Sequence, residues 1–477
     1  MTEPWALSID DAAALIGRRE LSAGELLASL LERINQTEER FQAWTSIDIE
    51  GAMEAARQAD QDSANHRKHG WLHGIPIGVK DVIDTAGWPT EAGSRACAGR
   101  IPAADAASVA ALRTAGATIL GKTVTHEFAY GQNTPPTRSP WGLDRYPGGS
   151  SAGSGVAVAA GHVPGALGTD TAGSIRNPAA VNGIVGLRPT TGLVNTDGLV
   201  GLSPRLDQVG PIARSVTDCT LLLAGLVDDA VRHRLGNGDD PVRALRNRAA
   251  SHDSVRVGVD RASWAESGVT ADVIAVLEEA VEDLRRNGAH IVEVSLPELR
   301  IGLPITLVFC LLDASEKYRT LLAARAADMA PGTRVMFELG LVVTDADLDL
   351  ALNARRFLQQ TLRRAFEEHR LTALASPTLP AVAPRLADLA TDLTRDGEAA
   401  DLSGALLLLS PSNVCGLPGL SLPCGKAGGL PVGMHLLGRP FDDLDLLALG
   451  YRYEQETPWK TMKPDCWQSV GGEIDLP

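Results

Sequence analysis

Between Arg145 and Pro189 the chain runs for 45 residues without a Lys, Glu, Phe or Trp. Gly, Ala, Ser and Thr fill most of this stretch, with two serine–glycine clusters at Gly148–Ser154 and Thr169–Ser174. Side chains this small let backbones approach closely and leave N–H groups free to face a ligand. The apolar runs Val156–Ala160 and Val163–Leu167 tie both clusters to a core, which a linker would not need.

The rest of the composition narrows the class. A chain of 477 residues suffices for one large α/β domain or for two or three average ones. The formal net charge of −15 and the lack of a basic stripe argue against a nucleic-acid surface. The acidic start MTEPWALSIDD is unlike a signal peptide, and the longest apolar runs, such as Leu303–Leu312, fall short of the roughly 18 residues of a membrane span. A cytoplasmic location is therefore expected. Six cysteines lie far apart in no CxxC or Cys/His spacing, so free thiols and no metal site are expected.

Residues 8–62 read as helical, with capping-box patterns at Ser8/Asp11 and Ser22/Glu25. Gly74–Ile83 reads as a buried strand carrying Lys80 in its middle, and alternation puts Asp81 on the opposite face. Arg232–Asp253 looks like a charged surface excursion, and 297–370 is mostly helical. Strands are expected at Val255–Val259, Ala289–Val294, Ala373–Pro377 and within Gly416–Met434, and a final helix at Asp442–Glu454. Strands alternating with helices predict an α/β architecture. The segments are an N-terminal helical part (1–70), a core (71–227), a mostly helical insertion shaping the substrate pocket (228–400) and a return to the core sheet (401–477), all in one domain.

Three chemistries compete for the small-residue stretch. Gly149–Gly153 fits G-x-S-x-G with Ser151 as nucleophile, but that elbow needs a strand directly before it, and a proline-rich loop stands there. Phosphate-binding glycine motifs are absent. The third reading joins Lys80 to Ser150 and Ser174. A serine hydroxyl needs a base beside it, and a lysine buried in an apolar strand can lose its proton near neutrality.

The blocks GVKD (78–81), YPGGSSAGS (146–154) and GTDTAGSIRNPAA (168–180) resemble the signature of the amidase signature family. So do GLRPTTGLV (186–194), LDQVGPIARSVTD (206–218), NVCGLPGLSLPCG (413–425) and LPVGMHLLGRPFDD (430–443). The resemblance implies a single large domain, with a mixed, mostly parallel β-sheet core surrounded by α-helices. It implies Ser174 as the acylated nucleophile, Ser150 as a bridging serine after a cis peptide bond, and Lys80 as the base. It implies an oxyanion hole from the backbone amides of Thr171, Ala172, Gly173 and Ser174, with Ala172 standing where glycine is usual. Ser151 is expected as an accessory hydrogen-bonder. Asp170 and Arg176 are expected to brace the turn as an ion pair, with Arg176 alternatively receiving a substrate carboxylate. Tyr130 is expected to line the site or the core.

The function expected from this is a serine amidohydrolase of small or aryl/alkyl amides, with carbamates or esters as side substrates. It would use no cofactor and no metal. A small-molecule amide or carbamate would be its partner, with no nucleic acid, no membrane, and at most a homodimer. The alternative is a glutamine-dependent amidotransferase subunit in a larger complex. It ranks second because such subunits carry an Asp seven residues before the Asn matching Asn413, where this chain has Leu406, and because HEFAYG (126–131) differs from their usual pattern.

Overall fold

The strand predicted around Lys80 spans Pro76–Lys80 and lies third from one edge of an 11-stranded sheet. The fold is that of a computed structural model, which describes residues 3–67, 69–130, 135–228, 231–232, 240–251, 255–389 and 403–467. The described strands are β1 (Trp44–Ile47), β2 (Pro76–Lys80), β3 (Thr118–Thr123), β4 (Gly165–Thr169), β5 (Val185–Arg188) and β6 (Val209–Ala213), then β7 (Arg256–Val259), β8 (His290–Glu293), β9 (Ala373–Pro377), β10 (Gly419–Ala427) and β11 (Leu430–Gly438). Their order across the sheet is β1-β3-β2-β4-β6-β5-β10-β11-β9-β7-β8. Helices surround the sheet, and every residue of β2, β3 and β4 is buried.

The N-terminal part is less uniformly helical than its pattern predicts. Ser8 caps the helix Ile9–Arg18, and Ser22 forms a full capping box on the helix Ala23–Phe41. The Glu38 carboxylate then accepts from the amides of Ala43 and Trp44, and the chain leaves the helix to make β1.

The sheet is mixed, but six of its ten adjacent pairs are antiparallel, so "mostly parallel" does not hold. The tight Gly428–Gly429 turn joins β10 to β11 as a hairpin, with both glycines at positive φ. β6 pairs antiparallel with both β4 and β5. The mostly helical middle segment carries strands at the three places expected of it. It supplies β7, β8 and β9, and β9 pairs with β11. Of the excursion expected at Arg232–Asp253, residues 241–249 form a helix, and 233–239 and 252–253 lie outside the described residues. No described helix is long and apolar enough to cross a membrane.

β2 and β4 are parallel neighbours, pairing Val79 with Leu167, so their carboxyl ends, Lys80 and Thr169, emerge side by side. The small-residue helix Ala152–Ala159 packs on β4. A Cβ on Gly153 would lie 2.3 Å from the Val124 amide nitrogen, so glycine is what lets this helix sit against the end of β3.

Candidate active site

Lys80 is fully buried, and its Nζ donates to Ser150 Oγ and Thr169 Oγ1, both at 2.8 Å. The carboxylates nearest it in sequence are engaged elsewhere. Asp81 pairs with Lys122 at 3.3 Å, on the face that strand alternation predicts, and Asp84 holds Arg100 through two bonds of 2.6 and 2.8 Å. Burial pushes the Lys80 pKa down to about 7, and the charges of Asp207 and Asp170 limit the fall.

The Gly149–Ser150 peptide is cis. Ser151 is buried, and its hydroxyl bonds the N–H and the carbonyl of Thr169, each at 3.3 Å. That arrangement ties the first cluster to β4 and leaves Ser151 no opening to the cavity where an elbow nucleophile would stand. The Ser151 amide donates to the Ser174 carbonyl at 3.3 Å, which places the second cluster over the first. Ser174 is partly exposed and lines the same cavity as Ser150. Its hydroxyl makes no hydrogen bond to Ser150 or to any other described residue.

Asp170 organises the turn between them. Its carboxylate accepts from the amides of Gly173 (2.8 Å) and Ile175 (3.2 Å) and from Asn413 Nδ2 (2.7 Å). Arg176 meets it with two bonds of 3.0 Å. Burial alone would raise the Asp170 carboxyl, but Arg176, with Arg188 and Asn413, holds it well below the usual carboxylate range.

One expectation changes here, and the alternative for Arg176 falls away. The Gly173 amide is committed to Asp170 and leaves the set of oxyanion donors, whereas those of Thr171, Ala172 and Ser174 have no described partner. Arg176 is fully buried, and all five of its N–H groups are taken, by Asp170 twice, Leu409 O, Asn413 Oδ1 and His435 Nε2. It has no donor left for a substrate carboxylate, so the bracing role is the one it fills. The His435 imidazole, held well below its ordinary range by burial and by the Arg176 charge, is neutral and able to accept. The alanine at 172 brings no left-handed strain, because the left-handed residue of the turn is Gly173, at φ 117°.

The cavity over Ser174 has a volume of about 200 Å³. Tyr130 lines it and meets Phe337 edge-on, with ring centroids 6.4 Å apart. The far walls are apolar, with Leu307 and Cys310 from the helix Gly302–Lys317, Met336 from the helix Pro331–Gly340, and Leu406 and Leu409 from the helix Ser403–Cys415. Two buried polar atoms at this cavity, Asn177 Oδ1 and Thr306 Oγ1, lack a partner. Neither residue was singled out from sequence, nor was Thr169, although Thr169 and Asn177 stand inside a quoted signature block. Thr306 sits in an apolar run with no pattern to mark it.

The family model described as Amidase matches residues 25–447. The chain belongs to the amidase signature family. Among solved structures, one described as the crystal structure of an amidase superposes on this amidase-signature enzyme with a TM-score of 0.83 at 31% identity, over 94% of this chain and 99% of that one. The crystal structure of the A subunit of glutamyl-tRNA(Gln) amidotransferase from Thermotoga maritima gives 0.75 at 27% identity, over 96% of each chain. Among curated proteins, the A subunit of glutamyl-tRNA(Gln) amidotransferase from Roseiflexus castenholzii is 38% identical, covering 98% of this chain and 99% of its own length.

These relatives correct the expected function and partners. A stand-alone hydrolase of aryl or alkyl amides, with a small molecule as its one partner or at most a homodimer, is overturned by end-to-end similarity to amidotransferase subunits. The contrary expectation leaned on two local departures, Leu406 on the cavity wall and the HEFAYG block at 126–131. Departures at so few positions tune what a wall prefers and carry less weight than identity spread along almost the whole chain.

Proposed function

We propose that this enzyme is the amide-cleaving subunit of an amidotransferase assembly, releasing nitrogen from a glutamine-type carboxamide for use by a partner chain. The observation that carries this reading is the 38% identity, over 98% of the chain, to the A subunit of an amidotransferase. The site geometry supports the chemistry it requires.

In this reading neutral Lys80 draws the proton from Ser150, and Ser150 draws it from Ser174 as Ser174 Oγ attacks the carboxamide carbon. The free Ser174 hydroxyl turns toward Ser150 to begin this relay. The oxyanion forms against the amides of Thr171, Ala172 and Ser174, and donors of this kind are worth about 2.7–4 kcal/mol each. The proton returns through the same relay to the leaving nitrogen, the C–N bond breaks and ammonia departs. Water then attacks the Ser174 ester by the same path and frees the acid. Asp170 and Arg176 keep the turn in shape without touching the substrate.

The test is isotopic. With amide-labelled ¹⁵N-glutamine and the complementary amidotransferase subunits, the label should appear in the amidated product, and Ser174→Ala should prevent it. Glutamine left intact by the assembled wild-type complex would defeat the proposal.

A further inference from the structure

The strand directions place the end of β11 and the start of β9 at the same end of the sheet as Lys80. Gly438 pairs with Ala373, and this register sets Arg439 against the loop before β9, where its Nε donates to Leu371 O at 2.9 Å. Arg370 is exposed and has no described carboxylate within ion-pair distance. Arg452 Nη2 is held by Asn287 O at 2.6 Å. These three guanidiniums line a concavity of about 160 Å³. Of the acids on its wall, Asp445 is bound to Arg248, leaving Asp442 against three arginines with no carboxylate partner.

Arg370, Arg439 and Asp442 also border a larger groove of about 780 Å³, whose apolar floor includes Leu362, Phe366, Leu417 and Pro440. Its acid Glu367 is engaged by Arg363 at 2.8 Å. Beside the groove Phe441 is 56% exposed and sits at φ 67°, a region that bulky residues rarely adopt. The strain is held by a clamp. The Phe441 amide donates to Thr190 Oγ1 at 2.9 Å, and Thr190 binds the buried Asp443 carboxylate through its N–H and its hydroxyl. The rim is therefore fixed before anything binds. An apolar cleft of this size with a few convergent charged groups has the form of a small-molecule site.

We propose that this groove is a second, non-catalytic site for an amphiphilic anion. A carboxylate or phosphate head sits among Arg370, Arg439 and Arg452, and an apolar body lies along Leu362, Phe366 and Leu417. Arginine suits the head because its planar fork matches both oxyanions. The site is separate from the Ser174 cavity but close to it. The helix Ser403–Cys415 carries Leu409 on the cavity wall and Cys415 on the groove wall, six residues or about 9 Å apart along its axis.

Isothermal titration of the full chain with octanoate and with octyl phosphate tests this. Both should bind at one equivalent, whereas octylammonium and inorganic phosphate should bind at least tenfold more weakly. Arg370→Glu at the exposed head site and Gln359→Trp, which fills the groove, should each weaken octanoate at least tenfold while amide cleavage is kept. Octylammonium binding as tightly as octanoate would overturn the proposal. So would octanoate affinity unchanged in both variants, since the anion would then occupy another place on the protein.

Discussion

The Arg176 guanidinium lies along the Asp170 carboxylate, Nε to Oδ2 and Nη2 to Oδ1, both at 3.0 Å and both shut off from solvent. Removing one side of such a pair leaves a buried charge without compensation, which costs about 3–5 kcal/mol. Arg176→Leu should therefore lower unfolding stability by about that much in a denaturant titration. The same variant should change catalysis through misplaced turn amides. A rise in KM alone, with stability intact, would instead point to a substrate-binding arginine.

The pH dependence follows from Lys80. With its pKa near 7, the side chain gains its proton as the pH falls through that value and can no longer accept one from Ser150. The profile of kcat/KM should drop about tenfold per unit below pH 7. Asp207→Asn removes the leading charge that favours the ammonium, so the acid limb should move to lower pH. A rate level down to pH 5 would exclude Lys80 as the base.

The three relay residues should not contribute equally. Ser174→Ala removes the atom that forms the ester and should cut kcat by roughly 10⁴-fold or more. Lys80→Ala should do nearly as much. Ser150→Ala should leave a measurable remnant, because a water molecule can stand in the gap between Lys80 and Ser174. Single-turnover rates of ammonia release on the three purified variants give the ranking.

Leu406 bears on the donor amide. It lines the cavity at the position where the family resemblance implies an Asp in amidotransferase subunits, and no described lining residue is an Asp or Glu. Leu406→Asp should supply an acceptor for the ammonium of free glutamine. A hydrogen bond to a charged group contributes about 1.5–3 kcal/mol, so KM for glutamine should fall about tenfold or more. An unchanged KM would mean that glutamine binds with its ammonium turned away from this wall.

The chemistry was more legible in the sequence than its support. Lys80, Ser150 and Ser174 stand out because a lysine in an apolar strand and serines among glycines are hard to explain by packing. The partners of Arg176 are not visible, because Asn413 and His435 lie more than 230 residues away and nothing local marks them as buried polar neighbours. Strand direction is equally hidden: alternation fixes which face a residue takes but not which way its neighbour runs. The preference for a stand-alone hydrolase failed for a related reason, since it read two local departures, Leu406 and HEFAYG at 126–131, without the rest of the wall around them.

The groups placed to move protons, from Lys80 to Ser174, come from the first half of the chain, while the apolar far wall of the cavity comes from helices between 302 and 415. Reaction and selectivity are thus inherited on different stretches of gene. A lineage can exchange the walls that do not touch the Asp170 turn and keep its proton relay, and a recombinant that swaps the helices Gly302–Lys317 and Pro331–Gly340 while keeping Asn413 should keep the reaction while changing its diet.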